Sequence, residues 1–107
     1  MSSLQGYQRK HLRGLAHGLK PVVQIGQKGL TDAVIASVEA ALDTHELIKV
    51  KFIEHKEKPQ KAYFADIIET RTGAEMVGMI GHTAIFYRQH PEPDQRRIAL
   101  PQKPAGK

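Results

Sequence analysis

The chain has 107 residues, enough for one domain, and contains no cysteine, which excludes disulfides and thiolate metal sites. Lysine and arginine outnumber the acids 16 to 11, giving a formal net charge of +5. No apolar stretch of signal-peptide length follows Met1 and none approaches the roughly 20 residues of a membrane span, so a cytoplasmic protein without a membrane partner is expected.

The positive charge is concentrated in the first quarter of the chain. Residues 1–29 contain no acid, whereas residues 30–88 carry more acids than cations. The cations of the first quarter are Arg9, Lys10, Arg13, Lys20 and Lys28. A localised positive field attracts polyanions, either nucleic acid or an anionic membrane surface. A solvated basic face that aids solubility is the alternative interpretation.

The first half of the chain predicts two helices on either side of a short strand. A helix is predicted over residues 3–16, from its leucines on one side and cations on the other, and a strand over 21–25. Residues 26–29 form a sharp loop. Thr31 is expected to cap a second helix that ends near His45. The buried stripe of this helix is predicted at Val34, Val38, Ala41 and Leu42.

The strand predicted over residues 47–53 alternates apolar and cationic side chains. Its apolar residues face one way, and Lys49 and Lys51 face the other. This pattern is typical of a strand with one buried face and one wet face. The helices are therefore expected to cover the sheet face opposite the two lysines.

The second half predicts a loop, a helix and a hairpin. Residues 54–60 are charged and contain Pro59, so they are predicted to form a loop. A third helix is expected over 61–72, closed by a glycine and buried through its apolar residues. The residues predicted to bury it are Phe64, Ile67 and Ile68. Strands over 75–80 and 83–88 follow, joined by Gly81-His82, which suits a type II′ turn.

This element order, α-β-α-β-α-β-β, predicts an α/β fold: a two-layer sandwich with a mixed four-stranded sheet and three helices. Strand–helix–strand units favour parallel pairing, and the final hairpin adds an antiparallel pair. Residues 1–88 are predicted to form the domain, and residues 89–107 a Pro-rich, basic, mostly extended tail. Ile98 and Leu100 are candidates for docking this tail back onto the domain.

The loop formed by Gly26, Gln27, Lys28 and Gly29 is the strongest candidate for function. Two glycines three apart permit a tight turn and leave no Cβ between the main chain and a ligand. The loop leads into a helix amino terminus, which favours an anion, and Lys28 adds a full charge. A phosphate grip of the Gly-x-x-Gly kind, as in KH domains, is one interpretation, and a simple tight turn is the other.

Longer motifs extend beyond this loop. They are KHLRGLAHGLKPVVQIGQKGLT at residues 10–31, HELIKVK at 45–51, TGA at 72–74, IGHT at 80–83, FYR at 86–88 and RIALP at 97–101. In this order they resemble the CRM (chloroplast RNA splicing and ribosome maturation) domain family, of the bacterial YhbY type. The resemblance spans nearly the whole chain, although residues 54–61 match no motif of the family.

The resemblance implies a fold like the carboxy-terminal domain of translation initiation factor three. It also implies RNA binding, with bacterial single-domain members associated with ribosomal RNA in precursors of the large ribosomal subunit. The family's loop maps onto residues 26–29, and its basic neighbourhood onto the first helix and Lys20. Together with the wet face of the second strand, the predicted RNA-binding residues are Gly26, Gln27, Lys28, Gly29, Arg9, Lys10, Arg13, Lys20, Lys49 and Lys51.

No feature of the sequence predicts a metal, a cofactor or a small-molecule substrate. The six histidines include no pair at i, i+4, and no serine lies in a nucleophile elbow. Asp66 and Glu69 could be paired carboxylates, but such a pair is more often a solvated helix face. The few aromatic residues favour backbone contacts over base stacking. A monomeric RNA-binding protein that is not an enzyme is expected; a protein adaptor with its basic face on an acidic partner is the rival.

Overall fold

A computed structural model of the chain describes residues 4–101. Its helices are α1 (Gly6–Ala16), α2 (Asp32–His45) and α3 (Lys58–Thr72), and its strands are β1 (Val23–Ile25), β2 (Leu47–Phe52), β3 (Glu75–Ile80) and β4 (Thr83–Tyr87). A single 3-10 turn at Pro93–Gln95 follows them. Among the described residues, no helix combines the length and apolar character needed to cross a membrane.

The four strands form one mixed sheet in the order β1-β2-β4-β3. β1 pairs in parallel with β2, so that Val23 lies opposite Val50. β4 is antiparallel to both of its neighbours. A type II′ turn requires a positive φ at its first central residue and a negative φ at its second. In the hairpin turn Gly81 has a φ of 60°, and the φ of His82 is not positive. The predicted fold class, three helices and a mixed four-stranded sheet, is confirmed.

Helices cover both faces of this sheet. α2 and α3 pack on the face presented by Ile48, Val50 and Phe52, as the alternation in β2 predicts. α1 lies on the opposite face, where Leu12 and Ala16 contact a second buried cluster. The expectation that all helices share one face, and hence that there are two layers, is therefore wrong for α1. The sheet face that carries Lys49 and Lys51 is apolar at one end, where Leu47, Ile85 and Tyr87 lie. α1 buries that apolar area.

The third helix begins earlier than predicted. α3 starts at Lys58, so Pro59 lies in its first turn. A proline is tolerated there because the first helical N–H groups have no partner within the helix. The side-chain Oε1 of Gln60 accepts a hydrogen bond from the Glu57 N–H at 3.1 Å and closes this end of the helix. The predicted loop over residues 54–60 is correspondingly shorter.

Smaller differences occur at other element ends. α1 begins at Gly6, and the Gln5 N–H donates to Oε1 of Gln8 at 2.9 Å; the predicted start at Ser3 lies outside the described residues. Thr31 caps α2 as predicted, its hydroxyl accepting from the Val34 N–H at 3.2 Å. The buried residues of α2 are Ile35, Val38 and Leu42, whereas Val34 and Ala41 are half-buried, so the prediction missed Ile35.

The segment after β4 returns to the domain through Glu46. This residue is fully buried, with a φ of 64°. Its carboxylate accepts hydrogen bonds from the backbone N–H groups of His90, Arg97 and Ile98 at 2.6 to 3.0 Å. Ile98 and Leu100 pack against the second cluster. Residues 102–107 of the predicted tail lie outside the described residues.

Tyr87, in that second cluster, has an altered acidity. Burial raises the pKa of its phenol to about 12, and the nearby Glu46 carboxylate contributes in the same direction. Arg96 and Gln89 partly oppose this shift. The phenol therefore stays neutral well above its ordinary pKa.

Candidate functional site

The loop between β1 and α2 is a closed turn with an exposed tip. The Gly29 N–H donates to the Gly26 carbonyl at 3.0 Å, which closes four residues into a β-turn. Gln27 and Lys28 at its tip are exposed. Because the chain enters α2 within three residues, the turn presents its tip beside a helix amino terminus, where N–H groups and the helix dipole favour an anion.

The two glycines of the turn have different roles. Gly29 is buried and has a φ of 72°, which only glycine adopts without strain. A Cβ at Gly29 would also lie 3.4 Å from Cζ of Phe64. Gly26 has no positive φ, and a Cβ there would have no atom within 4 Å. Of the two positions, only 29 therefore requires a glycine for steric reasons.

Two side chains that follow β2 in the chain, His55 and Phe64, support the turn. His55 Nε2 lies 2.9 Å from the Gln27 carbonyl oxygen. Because a carbonyl can only accept, the ring must carry its proton on Nε2 in this contact. The His55 ring packs edge-on against Phe64, with centroids 5.2 Å apart, and Phe64 in turn stacks 6.3 Å from Phe52. The turn is thus fixed by a polar contact from His55, in the β2–α3 connection, and by an aromatic contact from Phe64, in α3.

Sequence reasoning missed both supports. Residues 54–61 match no family motif, and a histidine inside a charged segment gives no periodic signal. Phe64 was predicted only as a core residue of α3. The parallel pairing of β1 and β2 is what brings their ends together, since the Ile53 N–H donates to the Ile25 carbonyl at 2.9 Å. A prediction of that pairing, applied to the residues that follow each strand, would have placed His55 beside the loop.

We group four lysines of β2 and of the segments flanking β1 under the name lysine track: Lys20, Lys49, Lys51 and Lys28. Lys49 and Lys51 project from the same face of β2 and are about 7 Å apart along the strand. The Lys49 ammonium donates to the Leu19 carbonyl at 3.0 Å, which places it beside Lys20. At the other end, Lys51 pairs in register with Gln24, just before the loop that carries Lys28.

The lysine track remains available to a ligand. Lys20, Lys28 and Lys51 are exposed, and Lys49 is half-buried. Within residues 4–101, no member of the track takes part in an ion pair. Their charges are therefore not neutralised by neighbouring carboxylates of the described chain.

The arginines of α1 lie elsewhere. Arg9 forms an ion pair with Glu75, and Nη1 of Arg13 donates to the Val77 carbonyl at 2.9 Å. Both partners belong to β3, which is separated from β1 by two strands, or about 14 Å. Lys10, between them in sequence, is exposed. The structure therefore places Lys51 near the end of β1 that leads into the loop, and Lys49 and Lys20 toward the start of that strand. It places Arg9 and Arg13 against β3, away from the loop.

Further charges of both signs surround the loop. Lys56 is exposed on the β2–α3 connection and Lys58 at the start of α3, next to the acids Glu54 and Glu57. Lys61 donates to the Gly81 carbonyl at 2.9 Å, tying α3 to the hairpin. Asp32, in the first turn of α2, lies 3.5 Å from Arg71. Lys56 and Lys58 are thus matched in number by Glu54 and Glu57.

The other candidate chemistry has structural explanations. Glu69 accepts a hydrogen bond from the Met76 N–H at 2.8 Å, so it fixes the turn between α3 and β3 rather than pairing with Asp66. Ser37 donates to the Ala33 carbonyl within α2. Within residues 4–101, no three His, Asp or Glu side chains converge as a metal site would require.

The family model for the CRS1/YhbY (CRM) domain matches residues 4–88. A protein of Haemophilus influenzae named "RNA-binding protein" is 42% identical over 96% of this chain and all of its own length. "Probable RNA-binding protein YqeI" of Bacillus subtilis is 34% identical over 92% of this chain and 99% of its own.

A solved structure shows the same fold. The solution structure of a Staphylococcus aureus protein, itself described as a candidate RNA-binding protein, superposes with a TM-score of 0.76. It is 33% identical, covering 92% of this chain and 99% of its own. The family model and the relatives match most of the chain, and the chain therefore belongs to the CRS1/YhbY (CRM) domain family.

Proposed function

We propose that this protein binds RNA by holding its phosphate backbone along the lysine track and across the tip of the Gly26–Gly29 turn. The observation that carries the proposal is the alignment of the unpaired lysines with the rigid, exposed turn at the amino terminus of α2. Relatives over nearly the full length carry RNA-binding names, which supports the same ligand here.

The chemistry of this surface suits phosphates rather than base edges. Each ammonium can neutralise one phosphate and release a counterion, which contributes affinity without reading sequence. The turn adds backbone N–H groups and the positive end of the α2 dipole. Held by His55 and Phe64, the turn loses little entropy on binding. Binding therefore follows the shape and charge of an RNA segment.

The RNA that we propose is ribosomal RNA in precursors of the large ribosomal subunit, bound in the cytoplasm by a monomer. The family resemblance supports this role. In it the protein acts as a binding factor during assembly and not as a catalyst.

Sedimentation of cell extracts tests this role. The protein should travel with large-subunit precursor particles in a low-salt gradient and be scarce on translating ribosomes. Nuclease treatment should release it, and the Gln27→Asp/Lys28→Asp variant should stay at the top of the gradient. Wild-type protein that sediments free of RNA would contradict the proposal. A nuclease-resistant complex would favour an acidic protein partner instead.

A further inference from the structure

An exposed aromatic side chain lies beside the turn. Tyr63 of α3 is 64% exposed, the highest value among the exposed large hydrophobic residues of the described chain. Its ring centroid is 5.7 Å from that of Phe64, the ring that supports Gly29. One aromatic ring therefore separates Tyr63 from the backbone of the turn.

Tyr63 has no evident structural task. α3 is anchored on the sheet by the buried residues Ala65 and Ile68. Within residues 4–101, the Tyr63 hydroxyl makes no hydrogen bond. A phenol that contributes little to the core and remains in water can offer a ring face to a ligand.

The cations that precede Tyr63 in the chain suit a nucleic acid as that ligand, and the acids Glu54 and Glu57 lie among them. Lys58 lies in the first turn of the same helix, and Lys56 lies in the connection before it. Both are exposed, and neither forms an ion pair within the part of the chain that the structure describes. An exposed aromatic face together with exposed cations is the combination that binds single-stranded nucleic acid, the ring taking a base and the cations the backbone.

We propose that Tyr63 is a stacking platform for one unpaired base of the RNA whose backbone crosses the turn. This inference rests on the proposed RNA binding and adds a preference within it. A base in a continuous duplex is stacked on its neighbours and cannot reach the ring. The protein should therefore prefer RNA in which an unpaired nucleotide adjoins the bound backbone.

Filter binding with two RNAs tests this inference. One RNA is a hairpin with a single-stranded loop, and the other is a blunt duplex of equal nucleotide number. Tyr63→Ala should weaken hairpin binding by about 5- to 150-fold, the range of base–aromatic stacking, and leave duplex binding within about twofold. Tyr63→Phe keeps the ring and should bind both RNAs like the wild type. Tyr7→Ala, which removes an exposed tyrosine from α1, is the matched control and should change neither.

Each outcome separates the inference from the proposed function. If the wild type binds both RNAs and Tyr63→Ala binds the hairpin equally well, the stacking site is refuted while RNA binding stands. Equal losses on hairpin and duplex would also refute stacking, because a duplex offers no free base. If the wild type binds neither RNA, the proposed function fails and the stacking site fails with it. Thermal unfolding of each variant identifies any loss that comes from the fold.

Discussion

Gly29 is the position in the turn where the fold, rather than the ligand, dictates the residue. Its left-handed backbone strains any side chain, and a Cβ there would be in van der Waals contact with Phe64. We expect Gly29→Ala to lower the free energy of unfolding by about 1–3 kcal/mol, the cost of a side chain at positive φ. Gly26→Ala is the matched control, because that position is open. Denaturant unfolding of both variants measures the difference, and equal stabilities would show that Gly29 is not constrained.

Gln27 and Lys28 contribute chemistry and little packing. The contact with His55 uses the backbone carbonyl of Gln27, so its side chain is free to change. Gln27→Asp/Lys28→Asp places two carboxylates where we expect a phosphate, but acids near the start of a helix interact favourably with its dipole. The variant should melt like the wild type and bind RNA at least 10-fold more weakly, on the order of 1.4 kcal/mol.

A second double variant distinguishes the loss of a positive charge from added repulsion as the cause of weaker RNA binding. Gln27→Ala/Lys28→Ala removes one charge without adding repulsion, so its loss should be intermediate between the wild type and the double Asp variant. Filter binding and thermal unfolding measure both properties. If the double Asp variant binds RNA as tightly as the wild type, the turn serves only the fold.

At the scale of elements, the cations of α1 and those of β2 have different surroundings, and their positions in the sequence do not reveal this difference. Arg13 belongs to the most basic part of the chain, yet its guanidinium is bonded to the β3 backbone. Lys51 lies in a segment with more acids than cations, yet it stands beside the turn. We therefore expect Arg13→Gln to affect stability, by about 1 kcal/mol, and Lys51→Gln to affect RNA affinity.

These two variants remove the same charge from the whole protein. Binding and unfolding measurements on both distinguish a local contact from a general effect of net charge. If Arg13→Gln and Lys51→Gln weaken binding equally, total charge decides affinity and the track has no special role.

The sequence predicted the order of the elements well because most of their signals are local. Alternation in β2, the Thr31 cap and the glycine after α3 each act within a few residues. The start of α3 was misplaced because Pro59 is compatible with both a loop and a first helical turn. The position of α1 was wrong because the face it buries is assembled from β2, β3 and β4, and no single segment shows that combined apolar area.

In the candidate site, too, the features set by neighbouring residues were predictable and those set by distant residues were not. The turn itself follows from four consecutive residues, and the two lysines of β2 follow from its alternation. The supports from His55 and Phe64, and the separation of Arg9 and Arg13 from the turn, depend on strand pairing across the sheet. Those facts require the three-dimensional arrangement, because the residues involved are far apart in the chain.

For the molecule as a whole, α1 covers one part of the lysine side of the sheet and leaves another open. Its contacts lie over β3, β4 and the start of β2, where Leu47, Val77 and Ile85 are buried. The lysine track occupies the β1 and β2 side of that face and leads to the turn at the end of β1. The four lysines thus follow β1 and β2 toward the turn, an arrangement that suits a single segment of RNA.

The salt dependence of RNA affinity tests this arrangement most directly. If Lys20, Lys28, Lys49 and Lys51 each approach a phosphate, a plot of log affinity against log salt should have a slope of about −3, at roughly −0.7 for each contact with a single strand. Lys28→Gln/Lys51→Gln should reduce the slope to about −1.4, since two contacts remain. A wild-type slope near zero, or a slope that the double variant does not change, would contradict binding of the RNA backbone along the lysine track.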